Sequence, residues 1–226
     1  MPATEPNEKR LFEFLSLSLL LGLGTAIAAL IFFGWLADEV LEGETRHFDE
    51  ATRAAIHQLA SPTLTIVMRG FSFVGSTIAL SIGTIVVVVR FAMKKWGREA
   101  KLFAITMIGA ALLNITLKLA FKRSRPEPFF NLSLPETYSF PSGHSLTSAV
   151  FFGALAAILT TRIQSKRARV ALWIMSAFMF LTIGFSRIYL GVHHTTDVIA
   201  GFAAALIWIL MVRFVEKATV IHGLRK

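Results

Sequence analysis

The chain has 226 residues, of which 54% are hydrophobic and 16% charged, with a mean hydropathy of +0.63 and a formal net charge of +9. A composition this apolar excludes an ordinary soluble domain and indicates an integral membrane protein. The absence of cysteine excludes a disulfide framework, a zinc–thiolate site and a thiol nucleophile. The positive charge lies in short clusters between apolar runs, which indicates a membrane surface rather than nucleic acid.

Taken in chain order, six runs lack any charged side chain or histidine: Leu15–Ala37, Gly70–Val89, Leu102–Leu117, Ser145–Thr161, Val170–Ser186 and Val198–Val212. A helix needs about 20 residues to cross the hydrocarbon. The first two runs reach that length, and the rest approach it with their terminal charges at the interface. All six are therefore expected to be transmembrane helices in an all-α fold. The first run follows Lys9 and Arg10 but is longer than the apolar part of a signal peptide and lacks a small-residue cleavage region, so it reads as a retained anchor. After it comes an acidic stretch with Asp38, Glu39, Glu42, Glu44, Asp49 and Glu50 against Arg46 and Arg53. Residues 39–69 read as an amphipathic connector. Asp49 or Glu50 suits a first helical turn, and Ser61-Pro62 reads as an N-cap followed by proline at the first helical position. A lid or access gate is the other reading of this connector.

Arg90, Lys94, Lys95, Arg98 and Lys101 follow the second run; Arg162, Lys166, Arg167 and Arg169 follow the fourth. By the positive-inside rule both clusters, and both termini, are expected to be cytoplasmic. The connection after the third run breaks that rule, because "LKLAFKRSRPEPF" puts Lys118, Lys122, Arg123 and Arg125 on the outer side. Attraction to anionic headgroups would account for any one of these residues. However, runs three to six end on that same side at Lys118, His144, Arg187 and Asp197. Four helices thus carry ionisable groups to one depth, where such groups are functional candidates.

Each segment also has a plain structural reading. Pro141, Ser142 and Gly143 can simply start a helix, and Thr195 or Thr196 can cap the last one. Free N–H groups at such a terminus also suit phosphate. His193 and Asp197 are four apart and share one helical face, so the carboxylate can fix the imidazole tautomer and leave the other nitrogen free to attack. His194 lacks that pairing. Adjacent histidines chelate poorly from one face, and the carboxylate cluster of a two-metal phosphatase is missing, which disfavours a metal at His193, His194 and Asp197.

Three segments, "KLAFKRSRP" from Lys118, "PSGH" from Pro141 and "SRIYLGVHHTTD" from Ser186, together resemble the three-part signature of type 2 phosphatidic acid phosphatases. That superfamily also holds vanadium haloperoxidases and glucose-6-phosphatase. The resemblance implies a single phosphatase domain over residues 1–226, with the signature in 118–197. It implies His193 as the nucleophile forming a phosphohistidine, Asp197 as its orienting partner, and His144 as general acid and then base. Lys118, Arg125, Arg187, Ser142 and the Gly143 N–H would hold the phosphate. No metal or organic cofactor is implied.

The implied reaction is hydrolysis of a lipid phosphate or pyrophosphate headgroup, such as undecaprenyl pyrophosphate, phosphatidylglycerophosphate or phosphatidic acid, with lipid A 1-phosphate as a further substrate. The expected partners are the substrate and the bilayer, with no nucleic acid and no obligate protein. The expected location is a bacterial inner membrane with the site facing outward. A phosphotransferase and a non-catalytic lipid-anion binder or transporter are the competing readings. The paired His193 and Asp197 with His144 argue against the binder, and the membrane spans argue against a haloperoxidase.

Overall fold

A computed structural model describes residues 5–133 and 136–224. Among these residues the chain forms eight helices: α1 (Glu5–Glu42), α2 (Arg46–His57), α3 (Pro62–Val74), α4 (Thr77–Met93), α5 (Gly97–Phe121), α6 (Gly143–Thr160), α7 (Lys166–Tyr189) and α8 (Thr195–Leu224). Segments of α1, α5, α6, α7 and α8 are each long and apolar enough to cross a membrane, and α3 and α4 together meet the same measure as a bent pair, which brings the candidates to as many as six. Except at the C-terminal end of α6, the helices run past the charge-free stretches, because backbone hydrogen bonding continues into the interface where water and headgroups solvate charged side chains.

The second span departs from expectation. Gly70–Val89 reads as one continuous run, but α3 and α4 meet at a 52° bend around Gly75 and Ser76. Ser76 adopts an extended conformation and its Oγ accepts the Ala79 N–H, so a new helix starts there. A side chain at Gly75 would come within 2.3 Å of Ile183 Cγ2, so the missing Cβ lets the corner press against α7. The upstream cap matches expectation: Ser61 Oγ accepts Leu64 N–H and Pro62 opens α3.

The packing places α6 at the centre, against α5, α7 and α8, while α1 lies on α8, α3 on α7 and α4 on α5. Much of α6 is buried, including Leu146, Val150, Gly153, Ala154, Ala156 and Ala157. Small residues allow the close helix approach that drives packing in lipid, where apolar surface gains little by leaving the solvent. Phe103 packs edge-on against Phe91 and Phe151, and Phe140 against Phe121, linking the core to the site end of the bundle. Leu20, Ile78, Ile85, Ile105 and Ile174 point outward and are exposed, as a lipid-facing surface requires.

Gly75→Val should lower the thermal unfolding midpoint in detergent by the equivalent of about 1–3 kcal/mol through overpacking against Ile183. Gly70→Val, built into open space, serves as the comparison and should shift the midpoint much less.

Candidate active site

The turn between α7 and α8 sets the site. Gly191 has φ +73°, and a Cβ there would lie 2.6 Å from the Phe129 backbone N, so this tight reversal admits only glycine. The reversal is closed by Val192 N–H donating to Arg187 O at 3.1 Å, and Phe129 N–H donates to Leu190 O at 3.0 Å. The α5–α6 connection is thereby stitched to the turn that carries His193. A second close approach joins the other signature segment. Ser142 N–H donates to Asp197 O at 2.9 Å, and a Cβ on Gly201 would meet Ser142 O at 2.7 Å.

His193 is 1% exposed and its two ring nitrogens face different partners. Nδ1 lies 3.2 Å from Asp197 Oδ2, and Nε2 lies 3.0 Å from Arg125 Nη1. A carboxylate only accepts and a guanidinium only donates, so Nδ1 carries the proton and Nε2 offers its lone pair. Burial pushes the His193 ring well below its ordinary 6.5; the bond to Asp197 opposes that push, and the charges of Arg125 and Arg187 add to it. The ring is therefore neutral at neutral pH. Asp197, fully buried, also accepts from Ser139 Oγ, from the His194 backbone N–H at 2.9 Å and from Arg123 Nη1 at 2.6 Å.

The remaining predicted residues gather around this pair. His144 stands in the first turn of α6, half-buried; Arg187, His193, Arg125 and Lys118 all lie within electrostatic range of its ring. Its ring makes no hydrogen bond among the described residues, so both nitrogens are available to a ligand. Lys118 sits in the last turn of α5, and its ammonium donates to the Tyr138 and Ser139 carbonyls. Arg125 also donates to Thr137 O, Thr137 Oγ1 and Val192 O. Arg187 donates to Ser72 Oγ of α3, while its buried Nε has no protein partner. Ser142 is the α6 N-cap: its Oγ accepts from Ser145 N–H and from Ser145 Oγ at 2.9 Å, leaving one O–H to donate. Gly143 presses on the Asn114 amide, whose atoms would lie 2.9 and 3.0 Å from a Cβ at that position. The buried Nδ1 of His194 has no hydrogen-bond partner among the described residues.

Several residues at the site were not singled out in the sequence. Asn114 lies inside a charge-free run, and its buried Oδ1 has no partner. Ser139 stands two residues before Pro141, outside any pattern. Ser72 belongs to α3, and the packing of α3 on α7 brings it to Arg187. Asp49 lies in the first turn of α2, as its sequence context suggests, and is in addition 1% exposed and bonded to Arg123 and Thr196. Arg123 bridges Asp49 and Asp197. The acidic residues around Asp49 gave no periodic signal that would separate it from its solvated neighbours.

One end of the helical membrane bundle thus carries a paired histidine and carboxylate, a second histidine and three cations. The sequence profile of the PAP2 superfamily matches residues 99–219, and the chain belongs to this superfamily. It is 32% identical over 197 residues to phosphatidylglycerophosphatase B of Bacillus subtilis, covering 84% of this chain and 95% of that protein. It is 34% identical over 107 residues to lipid A 1-phosphatase of Rhizobium etli, covering 43% and 42% of the two chains. Among solved structures, a transmembrane PAP2-type phosphatidylglycerolphosphate phosphatase from Bacillus subtilis superposes with a TM-score of 0.80 at 27% identity, covering 86% of this chain and 96% of that one.

Titration of the His193 ring by NMR in detergent should show no protonation step above about pH 5, because burial disfavours the cation. A transition near the free-imidazole value would contradict the buried, Asp197-bonded geometry.

Proposed function

We propose that this chain is a metal-independent lipid phosphatase that works through a phosphohistidine on His193. The observation that carries the reading is the tautomer of His193, with Nδ1–H on Asp197 and the Nε2 lone pair directed at Arg125. Nε2 attacks phosphorus, the bond from phosphorus to the lipid oxygen breaks, and His144 gives that oxygen its proton. In the second half, water loses a proton to His144 and attacks phosphorus, the N–P bond breaks, and inorganic phosphate leaves. Lys118, Arg125 and Arg187, with the Gly143 N–H and Ser142 O–H, hold the equatorial oxygens, where negative charge is spread in the transition state. Asp197 orients His193 throughout.

The lipid character of the substrate is supported by a groove of about 440 Å³ between α4, α5 and α6, lined by Leu80, Ile85, Val88, Met107 and Ile108. It reaches Thr147, whose hydroxyl donates to Gly143 O one turn from the phosphate cradle. A tail in this groove would lie in the bilayer while its headgroup entered the cup. Phosphatidylglycerophosphate is the leading substrate, because phosphatidylglycerophosphatase B aligns over 84% of this chain and 95% of its own length. Phosphatidic acid and undecaprenyl pyrophosphate follow. The charge bias supports cytoplasmic termini and a site on the outer face of a bacterial inner membrane.

Phosphate release by the purified protein in detergent with EDTA, compared across these three lipids and a soluble phosphate ester, tests the reading. At least one lipid should be hydrolysed. His193→Ala should abolish turnover, and His144→Ala should slow it by about 10²- to 10⁴-fold, the usual scale for a lost general acid. No release from any lipid by folded protein, or full activity of His193→Ala, would overturn it. Adding an acceptor lipid separates hydrolysis from transfer to a second molecule.

A further inference from the structure

The first outer connector and Arg123 have no role in the chemistry above, yet they form the most densely bonded ion cluster at this end of the bundle. Arg123 donates through Nη1 to Asp197 Oδ1 at 2.6 Å and to Thr196 Oγ1 at 2.9 Å. Its Nη2 donates to Asp49 Oδ2 at 2.8 Å. Asp49 in turn accepts Thr196 N–H on Oδ1 at 2.9 Å and Thr196 Oγ1 on Oδ2 at 2.7 Å. A carboxylate from α2 thus caps the N-terminus of α8, where the helix dipole favours an anion. The side chains of Asp49 and Asp197 are 1% and 0% exposed and that of Arg123 is 15% exposed, so water does little to screen them. Beside the cluster, Thr52 and Thr195 share a hydroxyl hydrogen bond at 2.6 Å, and Arg53 donates to Gly191 O and Glu127 O.

We propose that Arg123 and Asp49 are positioning residues for the reaction: together they lock the plane of the Asp197 carboxylate and, through it, the orientation of His193. The inference rests on the reading of His193 as nucleophile. Oδ2 of Asp197 holds His193, Ser139 and the His194 backbone, and Arg123 holds Oδ1. With both oxygens fixed, rotation about the Cβ–Cγ bond is blocked, and the Nδ1–H direction of His193 is set. The Arg123 guanidinium is committed to Asp197, Thr196 and Asp49 rather than to a phosphate, which separates its role from that of Arg125. The connector helix α2 is a clamp on the reactive turn rather than a free lid, because it is tied to Thr195, Thr196 and Gly191.

Near-isosteric and charge-keeping variants test this without emptying the cluster. Asp49→Asn removes one charge and keeps the shape. Arg123→Lys keeps the charge but cannot span both carboxylates. Each should lower kcat on phosphatidylglycerophosphate by about 10- to 100-fold, the scale of a small misplacement at a reacting group, with KM within about twofold. A third variant, Arg123→Gln, supplies a readout that a purely structural role would not move. Loss of a cation beside the pair should shift His193 protonation upward in the NMR titration, whereas Asp49→Asn, losing an anion, should not. The other groups acting on His193, namely Asp197 of α8, Arg125 of the α5–α6 connection, Arg187 of α7 and His144 of α6, stay unchanged in all three variants. Unaltered kcat in both Asp49→Asn and Arg123→Lys overturns the proposal, as does activity that falls only in proportion to folded protein with no change in His193 titration. An inactive wild type, or an active His193→Ala, instead overturns the phosphohistidine reading on which it rests.

Discussion

The carboxylate of Asp197 has no exposed surface, and an anion shut away from water must be surrounded by donors. Four donors reach it from two connections: the His193 ring and the His194 backbone from the α7–α8 turn, and Ser139 and Arg123 from the α5–α6 connection. A lone buried charge would cost several kcal/mol or lose its ionisation. The site end of the bundle is organised around avoiding that outcome. The α5–α6 connection must pass close enough to deliver Ser139 and Arg123, the α7–α8 turn must reverse sharply enough to present His193 and His194, and the α6 N-terminus is tied to the Asp197 carbonyl through Ser142.

The cations answer the same constraint with opposite sign. Lys118 is held by two carbonyls of the α5–α6 connection, Arg125 by carbonyls of that connection and of the turn, and Arg187 by a hydroxyl from α3. Neutral dipoles orient these three charges without neutralising them. Of the described cations here, Arg123 is the one paired with two carboxylates, and so the local field has two parts: a compensated cluster and a ring of cations without carboxylate partners.

The sequence made the all-helical membrane fold legible because the charge-free runs are long and the ionisable residues between them are few. The residues around the cup were legible as well: helix-end positions in four runs coincide, and the i, i+4 spacing of His193 and Asp197 survives in the folded chain. The bend at Gly75 was not legible, since hydropathy sees an apolar stretch and the corner depends on how α7 packs against it. Asp49 was hidden for a related reason. In a stretch of six acidic residues, burial of one is decided by which helix end it meets in space, and Thr196 is 147 positions away. Asn114 carried no charge to mark it within its run.

If His193 is the nucleophile, as proposed above, its bond through Nε2 to Arg125 has a kinetic meaning. In the resting site the reactive lone pair is already occupied by a donor, so a stray electrophile finds the nitrogen sheathed. A tetrahedral dianion offers the same guanidinium better acceptors than an imidazole can. Arrival of the headgroup would draw Arg125 away, and uncovering the nitrogen would coincide with binding the atom it attacks. Chemical exposure and substrate selection would then be one motion of a single side chain, which would leave the site quiet toward neutral membrane lipids and responsive to phosphorylated ones.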